Sequence, residues 1–569
     1  MLKKSCPIAI LYYLCICSAA FAGEETPAKA AADLKVPLHE GLGSAHIPIT
    51  TSSELAQTYF DQGLRLHFGF WIAESRRSFE EAIRQDPDAP MPYWGKAWAF
   101  GAYHNNGAPA VRDLETSYAA IQDALARKSK ATALEQGLID AMAERVAKDT
   151  KTPRAQLDVA YAAAMRSLSE QYPDNVNVLV LAAAAEMNTS RWNYWNDDGK
   201  ANDGDTDWFV ATLEKALELE PRHSGAIHYY IHGVEASDDV FRARNPAREL
   251  ASTAPNLAHL VHMGSHILIQ TGDYDHAADT NIDASMADEL YIGQPDQEGR
   301  YPLGSYQHNV HFVWVAASME GRSLVALQQA QKLRDKVFNT IPHQVIQQSH
   351  RYQNYMASSY YTLVRFGYWN DISSQPAPPV EFKYLTAMWH YARGIAFAHQ
   401  GETADAWTEH QALIDIANGD ILGGPSLSAM GRRERPSSPY QQDTKNMVML
   451  AGNAMAGEIA ATEKKWENAI TYLENAVNLQ DNLAYTEPPP WHYPTRHSLG
   501  AVLLDAGRPE QAEDVYRDDL RMWPANGWSL YGLMRSLRAQ GRMDEARLLE
   551  KQYLKAFARA DVVLTATRF

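Results

Sequence analysis

Histidines are concentrated in one short stretch of this sequence. Nine of the twenty histidines lie between residues 223 and 311, although the chain has 569 residues. Imidazole is the commonest protein ligand for metal ions. The stretch therefore predicts a metal site. Its candidate ligands are His228, His232, His262, His266, Glu235 and His311, with His259 and His308 as possible additional ligands.

The spacing of these residues places them on shared helix faces. His228 and His232 are four residues apart and Glu235 follows three residues later, so one side of a helix carries all three. His262 follows His228 by 34 residues, and His266 follows His232 by the same distance. This offset is the period of a tetratricopeptide repeat, which has two helices per unit. Equivalent helices of neighbouring repeats pack roughly 8–10 Å apart, so facing imidazoles can reach one ion.

A third helix extends the row of histidines. Gly272 and Gly321 are expected to be equivalent turn glycines, 49 residues apart with an insertion between them. The same offset aligns two further pairs of histidines and predicts imidazoles on three neighbouring helices. Those pairs are His262 with His311 and His259 with His308.

The ligand types limit the metal and its chemistry. Histidine-rich ligation suits zinc, copper, iron or nickel and disfavours magnesium or calcium. Three histidines with an open position suit oxidation at copper or iron, or hydrolysis at zinc, whereas four closed around one ion make a structural site. Glu235 is a candidate ligand, a possible base, or a residue that orients a ligating ring. The alternative to metal binding is a structural role, with the histidines copied by repeat duplication.

Familiar catalytic motifs are missing from the sequence. It contains no His-Glu-x-x-His zincin motif, no Gly-x-Ser-x-Gly elbow and no phosphate-binding loop. Well-known hydrolase and kinase chemistries are therefore unsupported, and the substrate is left open.

The first 22 residues have the features of a secretory signal peptide. Lys3 and Lys4 precede an apolar run over residues 8–16, and residues 20–22 (Ala-Phe-Ala) give a cleavage pattern. We therefore expect a periplasmic or secreted protein that begins near Gly23. All three cysteines lie in this leader, so the remaining chain offers no thiolate ligand and no disulfide.

Charge and hydropathy exclude two classes of partner. Removing the leader takes away two lysines and no acidic residue, which changes the formal charge from −17 to −19. Such an acidic balance argues against nucleic-acid binding, which usually requires a basic face. Outside the leader, no stretch approaches the roughly 18 apolar residues needed to cross a membrane.

The rest of the chain has the pattern of paired helices, and strand signals are scarce. A Gly-x4-Ala pattern recurs at the predicted turn within each pair, where glycine suits a left-handed helix end and alanine permits close packing. The expected fold is all-α, a tetratricopeptide-like helical-hairpin solenoid. The pattern occurs at Gly272/Ala277, Gly321/Ala326, Gly401/Ala406, Gly507/Ala512 and Gly541/Ala546.

We divide the chain into four parts. Residues 1–22 form the leader and residues 23–50 a flexible segment. Residues 51–370 form a solenoid that carries the histidine-rich groove, and residues 371–569 a C-terminal solenoid.

Three stretches interrupt the helical pattern. Residues 417–444 are expected to be a long exposed loop or, alternatively, a lid. Asp203, Asp205 and Asp207 imitate a calcium loop, but Trp208 stands where the sharp turn requires glycine, so a helix cap is favoured. The proline-rich segment 487–494 is either a spacer between repeats or one wall of a pocket.

Several motifs are specific enough to suggest a family. They lie at residues 93–95 (Tyr-Trp-Gly), 225–232, 259–263, 307–312 and 490–500. Together they resemble a widespread family of exported bacterial tetratricopeptide-repeat proteins with His-x3-His motifs on successive repeat helices. The resemblance covers most of the chain after the leader. It implies an α-solenoid and export, and it implies no settled reaction.

Other residues near the histidines are candidate contacts for a small-molecule or peptide ligand. His104 ends an early predicted helix and either approaches the site or caps the surface. Aromatic residues either line a groove or pack between helices. These residues are Tyr229, Tyr230, Tyr306, Trp192, Tyr194, Trp195 and Trp491.

The sequence thus leads to three hypotheses about function. The first is an exported metalloprotein, plausibly a metal-dependent enzyme, with its His/Glu site in the groove. The second is a non-catalytic periplasmic scaffold that binds a peptide or protein partner, as tetratricopeptide arrays commonly do. The third is metal storage or delivery through the same ligands.

Overall fold

The computed structural model describes most of the chain after the leader. It separates residues 1–38 from residues 39–569 as two units, and only residues 36–38 of the first unit are described. The predicted signal peptide and most of the predicted loop over residues 417–444 lie outside the described residues, and the two ends of that loop, 417–418 and 439–444, lie in helices. The described ranges are 36–196, 199–292, 301–419, 421 and 439–569, without the side chains of 301–304 and 439–442.

Helices account for almost all of the ordered secondary structure. The first twelve α-helices are α1 Glu54–Phe68, α2 Ile72–Gln85, α3 Met91–Phe100, α4 Val111–Arg127, α5 Ala133–Arg145, α6 Arg154–Gln171, α7 Val176–Met187, α8 Gly204–Leu219, α9 Ser224–Val234, α10 Arg244–Thr253, α11 Ala258–Leu268 and α12 Tyr274–Ile292. The others are α13 Tyr301–Met319, α14 Ser323–Thr340, α15 His343–Gln347, α16 His350–Arg365, α17 Trp369–Ser373, α18 Lys383–His399, α19 Thr403–Asn418, α20 Pro439–Thr462, α21 Trp466–Asp481, α22 Arg496–Asp505, α23 Pro509–Met522, α24 Gly527–Ala539 and α25 Met543–Ala556.

The predicted all-α class is confirmed. Two isolated bridges, Tyr103 with Asn106 and Trp195 with Ala201, are the only β-pairing in the described ranges. Successive helices pack against each other as antiparallel hairpins, as a tetratricopeptide-like solenoid requires. None of the helices described has the length and apolar character needed to cross a bilayer.

The turns within the helical pairs follow the Gly-x4-Ala pattern. All five glycines have positive φ angles between 73° and 83°, a region that L-residues with side chains rarely adopt. All five alanines are fully buried, so the two helices of each pair can approach closely. The sequence pattern therefore identified the turns correctly.

One hydrophobic core runs from the middle of the chain to its C-terminal helices. It includes residues from Tyr306 to Leu564 and so crosses residue 370, where the sequence suggested a division. Trp528 of α24 donates a hydrogen bond from its indole nitrogen to the Ser318 carbonyl of α13 (3.1 Å). The Asp561 carboxylate accepts from the backbone N–H of Ser323 (2.6 Å) at the start of α14. The C-terminal repeats therefore pack against the repeats that follow the histidine row.

Part of the expected flexible segment packs on the helices. Leu42 and Ile47 are buried, and the Asn256 backbone N–H donates to the Gly41 carbonyl oxygen (3.1 Å). Residues 39–50 therefore have fixed contacts with the solenoid. Their apolar side chains are too few and too irregularly spaced to give a periodic signal in the sequence.

Gly264 provides a test of this packing. A Cβ atom at this position of α11 would lie 2.3 Å from the carbonyl oxygen of Ala247 in α10. We expect Gly264→Ala to lower the free energy of unfolding by about 1–3 kcal/mol, as overpacking usually does. Urea unfolding measures the difference. The control is Gly204→Ala in α8, where the added methyl group meets nothing within 4 Å; equal effects at both sites would contradict the prediction.

Candidate metal centre

Two fully buried helices carry the main histidines. Every residue of α9 and of α11 is buried, and a helix that is apolar on all sides is typical of a protein interior. The side chain of His223 caps α9, because its Nδ1 accepts a hydrogen bond from the Ala226 N–H (3.0 Å). Helix α11 contacts both α9 and α13, which carries the third set of histidines. The predicted row of three neighbouring helices is therefore present.

Their side chains form three linked groups of possible ligands. In each group, one ligand atom per residue lies within 4.8 Å of the others. His232 and His266 each belong to two groups, so the three groups form one continuous cluster. The groups are His228 with His232 and His259, His262 with His266 and His308, and His232 with Glu235 and His266.

Hydrogen bonds fix the tautomers of His228 and His262. Nδ1 of His228 lies 2.6 Å from the Phe68 carbonyl oxygen, which can only accept, so Nδ1 carries the proton. Nδ1 of His262 lies 2.7 Å from Oδ1 of Asn281. The Asn281 amide nitrogen donates to the Ala277 carbonyl (2.7 Å), which leaves Oδ1 as the acceptor for His262. In both neutral rings Nε2 therefore presents a lone pair, the form that binds metal ions.

Glu235 orients two further rings. Its Oε1 lies 3.1 Å from Nδ1 of His232, and its Oε2 lies 2.8 Å from Nδ1 of His266. The carboxylate therefore accepts a hydrogen bond from each ring and turns both Nε2 atoms toward the cluster. A carboxylate behind a histidine is a common support of metal sites. Of the alternatives predicted for Glu235, this geometry corresponds to the orienting role.

The Nε2 atoms face one another across the cluster. Nε2 of His262 lies 2.8 Å from Nε2 of His266, and Nε2 of His228 lies 3.2 Å from Nε2 of His259. Nε2 of His228 and of His262 carries a lone pair, so each can accept a proton of the facing ring or bind a cation that lies between the two rings. Adjacent histidine nitrogens on one tetrahedral zinc ion are roughly 3.3 Å apart, given bond lengths of about 2.0–2.1 Å. The spacing is therefore close to that of ligands sharing one ion.

Burial keeps most of these rings neutral. Desolvation, together with the neighbouring His266, lowers the pKa of His232 to about 3. Burial also holds the pKa of four other histidines well below the usual value. They are His228, His259, His262 and His308. These five rings are therefore in their metal-binding protonation state at neutral pH.

A carboxylate from a distant part of the chain completes the surroundings of His266. Glu487 contacts Nδ1 of His266 beside Glu235. Burial lowers the pKa of His266, but the carboxylates of Glu487 and Glu235 outweigh it and raise the pKa to about 10. Tyr485 fixes this segment by donating to the Glu235 carbonyl oxygen (3.0 Å). Of the two roles predicted for residues 487–494, the structure supports a pocket wall.

His104 and its neighbours form the opposite edge of the cluster. The His104 ring is fully buried, 4.8 Å from the ring of His232, and its Nδ1 lies 3.2 Å from the Tyr194 hydroxyl. The ring of Trp192 lies 4.3 Å from that of His104 and this residue is half exposed, so the cluster meets solvent beside Trp192. Of the two alternatives for His104, the structure supports the approach to the site.

Phe70 covers the cluster from the turn between α1 and α2. Its φ is 53°, a left-handed conformation that costs an L-residue roughly 1–2 kcal/mol. Its ring centroid lies 4.5 Å from that of His228 and 5.3 Å from that of His259. A bulky side chain thus occupies a turn position where later repeats have glycine, and its ring excludes water from the histidines.

His311 lies apart from the three groups. Its ring stacks on Trp314 (5.3 Å) and contacts Tyr355 (5.0 Å). His308 takes the position expected of His311, with its ring 4.7 Å from that of His262. His308 follows His262 by 46 residues, not 49, so the insertion shifts the register of α13 relative to the turn glycines.

Of the other residues predicted to contact a ligand, some lie at the histidine cluster and the rest have structural contacts. Tyr229 stacks on the ring of His228 at 5.6 Å. Tyr230 bonds to Glu214, and Tyr306 bonds to Glu289. The remaining residues have structural contacts: Trp195 donates to the Gly233 carbonyl, Trp491 packs on Tyr361, and Asp203 caps α8 by accepting from the Thr206 N–H.

Glu235→Gln tests the orienting carboxylate. An amide offers only one acceptor atom, so one of the two Nδ1–H groups loses its partner while the side-chain volume stays almost unchanged. We expect transition-metal affinity to fall by about 10–100-fold, as for other supporting partners. Competition with a chromophoric chelator measures it. Glu320→Gln, a buried carboxylate paired with Arg322, is the control; an equal fall there would contradict the role of Glu235.

Comparisons with known proteins support the scaffold class. Residues 494–518 match the tetratricopeptide repeat family. No curated protein matches this chain. The match to residues 494–518 covers one repeat of the tetratricopeptide-like solenoid described above.

Three solved structures are similar in helical organisation. A human IFIT1 dimer with m7Gppp-AAAA is 12% identical, with 89% of this chain and 91% of that chain covered, and its TM-score is 0.29. Yeast Tom70 is 10% identical, with 89% and 95% covered and a TM-score of 0.25. The tetratricopeptide domain of P58(IPK) is 11% identical, with 86% and 98% covered and a TM-score of 0.21.

Proposed function

We propose that the chain is an exported metalloprotein whose histidine cluster binds copper, iron or zinc. The observation that carries the proposal is the shared arrangement of four buried rings. Nδ1 of each is next to an oxygen acceptor, which directs Nε2 into the cluster. Structural histidines need hydrogen bonds at one nitrogen or both, but they do not need their Nε2 atoms gathered at one point. The residues therefore fit a transition-metal ion.

The donor set supports two ions more readily than one. Each of the two three-histidine groups is complete in itself, and Glu235 joins them by bonding one ring of each. His228, His232 and His259 would hold one ion, and His262, His266 and His308 the other. Three histidines per ion leave a coordination position for a substrate or water.

We further propose that the centre is catalytic. A bound copper or iron ion supplies oxidation chemistry and a bound zinc ion supplies hydrolysis. Glu487 is placed to hold a proton beside His266, because burial and the neighbouring Glu235 raise its pKa to about 7. Trp192 lies at the exposed edge, where a small molecule would enter, and Phe70 keeps the interior dry.

We also propose that the protein is exported, so that it would acquire its copper, iron or zinc outside the cytoplasm. Its support is the lysine-flanked apolar leader and the absence of cysteine after it in the sequence. Expression of the full chain with and without residues 1–22, followed by fractionation, tests this. Equal distribution of both forms would remove export from the proposal.

Elemental analysis of protein purified without a polyhistidine tag tests the metal centre. One or two equivalents of a transition metal after dialysis would support it, and the identity of the metal would select oxidation or hydrolysis assays. Turnover with a substrate panel would distinguish an enzyme from metal storage or delivery, which predicts reversible loading without turnover. No binding after loading with copper, iron and zinc in turn would reject the metal centre.

The tetratricopeptide scaffold itself supports the alternative, a protein-interaction role. Such arrays bind partners on their inner surfaces. Here, however, the segment that carries Tyr485 and Glu487 already contacts Glu235 and His266 on the inner surface at the histidine cluster. A captured partner that still binds after replacement of the cluster histidines would favour this alternative.

A further inference from the structure

One buried histidine lies beside the cluster without belonging to its ligand groups. The residue is His104, which follows α3; it is 1% exposed, and its ring centroid lies 4.8 Å from that of His232. The rings of His262 and His266, which share one ligand group, have the same spacing of 4.8 Å. His104 is in none of the three groups of possible ligands. It is therefore next to one ligand of the cluster but outside the sets that would hold an ion.

Hydrogen bonds fix the tautomer of His104. The Tyr194 hydroxyl donates its one hydrogen to the Met187 carbonyl oxygen (2.9 Å), because a carbonyl oxygen can only accept. The hydroxyl oxygen lies 3.2 Å from Nδ1 of His104 and therefore accepts from that nitrogen. Nδ1 thus carries the proton of the neutral ring, and Nε2 presents a lone pair. The same use of an oxygen acceptor at Nδ1 occurs in His228, His232, His262 and His266.

The lone pair of His104 is not satisfied by the described part of the chain. Its Nε2 is buried and has no hydrogen-bond partner there, and the same is true of Nε2 of His232. Most buried polar atoms have a partner, because an unpaired acceptor in the interior is costly. Two neighbouring imidazoles with free nitrogens are therefore available to a cation.

Trp192 lies between these two rings and solvent. Its ring centroid is 4.3 Å from that of His104 and 5.2 Å from that of His232, and the residue is 54% exposed. It belongs to the segment between α7 and α8, outside any helix. Exposed side chains change rotamer rapidly, so the indole can move aside without disturbing a helix. An ion that enters past Trp192 therefore meets His104 and His232 before the other rings.

We propose that His104 is the loading ligand of the cluster, which binds a transition-metal ion entering past Trp192 and transfers it to His232. Water molecules leave the hydrated ion as Nε2 of His104 and then Nε2 of His232 bind. The bond to His104 breaks as the ion reaches the other histidines of its group, and no electron is exchanged. The inference rests on the metal centre proposed above and concerns how that centre is filled.

Rates of metal uptake and release test the proposal. Metal-free protein is mixed in a stopped-flow instrument with Zn²⁺ or Cu²⁺ and a fast-exchanging chromophoric indicator of the free ion. His104→Phe keeps a buried aromatic ring but removes the donor atom, so we expect uptake to slow at least about tenfold. The amount of metal bound and its affinity should stay unchanged, because His104 is outside the ligand groups. Release to excess EDTA should then slow by the same factor, which a merely structural role would not produce.

Two further variants change the same step in opposite directions. Trp192 has a φ of 63°, which glycine adopts without strain, so Trp192→Gly should fold and remove the indole from the entrance. We expect uptake and release both to become about three- to tenfold faster. Tyr194→Phe removes the acceptor of the His104 Nδ1–H group and frees the tautomer. It should slow uptake by a smaller factor than His104→Phe. Circular dichroism confirms that each variant folds.

His67→Phe is the matched control and should leave both rates unchanged. His67 is also 1% exposed, neither of its ring nitrogens has a partner among the residues described, and it is in no ligand group.

The possible outcomes are distinct. Loss of bound metal in His104→Phe would overturn the proposal, because His104 would then be a permanent ligand. Unchanged rates in the His104 and Trp192 variants would also overturn it and would indicate entry beside His308, which is only partly buried. If His104→Phe does not fold, the Tyr194 and Trp192 variants still decide. A wild-type protein that takes up neither ion would reject the metal centre together with this inference, whereas normal uptake that no variant alters would reject the inference alone.

Discussion

Replacing both His228 and His262 with alanine is expected to abolish stoichiometric binding of copper, iron or zinc. Each substitution removes an Nε2 donor from a different three-histidine group. We expect affinity to fall by at least about 100-fold, because losing even a supporting partner of a ligand costs 10–100-fold. Elemental analysis of dialysed wild-type and variant proteins measures the loss.

The control must remove equally buried imidazoles elsewhere. His311→Ala combined with His492→Ala does so, because both rings are buried and neither belongs to a group of possible ligands. This variant should keep the wild-type metal content. The sequence pattern predicts His311 as a ligand, and in that case this control variant would lose metal. The control therefore also shows whether His308 or His311 is the ligand from α13. Equal metal content in both double variants would show that the cluster is not the binding site.

The single variants show whether the cluster holds one ion or two. If each three-histidine group binds its own ion, His228→Ala should lose about one equivalent and His262→Ala the other. If one ion is shared, either substitution should remove all of it. Glu235 contacts one ring of each group, and Glu235→Gln leaves one acceptor atom for the two rings, so this variant should weaken the ion whose ring loses its partner.

The parts of the site that are local in sequence were predictable. The positions of His228 and His232 on one face of α9 follow from helical geometry alone. The 34-residue offset to α11 follows from the repeat, because identical hairpins stack with a constant displacement. The turn glycines were predictable for the same reason, since a left-handed helix end strongly favours glycine.

The parts that depend on distant contacts were not predictable. Glu487 reaches His266 only because the segment before α22 lies against α9 and α11, and no periodic signal records that contact. The Phe68 carbonyl that fixes the tautomer of His228 belongs to the end of α1. His308 lies at the cluster in the place expected for His311, because an insertion changed the register of α13. Residue type and repeat spacing therefore define candidate ligands, whereas the supporting partners come from tertiary packing.

Acidification of the metal-free protein is expected to cause a large loss of stability below pH 6.5. Several buried histidines outside the ligand groups have lowered pKa values, and four of them illustrate the effect. Desolvation is the first cause in each, with values of about 4 for His223 and about 3 for His311. The four are His67, His223, His311 and His492.

The sign follows from proton binding in the two states. In the unfolded chain these rings bind protons near pH 6.5, but in the folded protein they bind protons only at a lower pH, near 4 for His223 and near 3 for His311. The unfolded state therefore binds more protons between these limits, and stability falls as the pH falls. His223 and His311 each contribute a loss of about 1.4 kcal/mol at pH 5.5, so the two remove roughly 3 kcal/mol, and His67 and His492 lower the stability further in the same direction. His266 does not add to this loss, because its raised pKa stabilises the folded state at low pH.

A loss of this size is a large part of the whole stability of many proteins, which is about 5–15 kcal/mol. Urea unfolding of metal-free protein at pH 7.5, 6.5 and 5.5 measures it. His311→Phe keeps an aromatic ring between Trp314 and Tyr355 but removes one titrating group, so its loss at pH 5.5 should be smaller by about 1.4 kcal/mol. Stability that stays constant between pH 7.5 and 5.5 would mean that these rings titrate with ordinary pKa values, and burial would then not keep the neighbouring cluster neutral either.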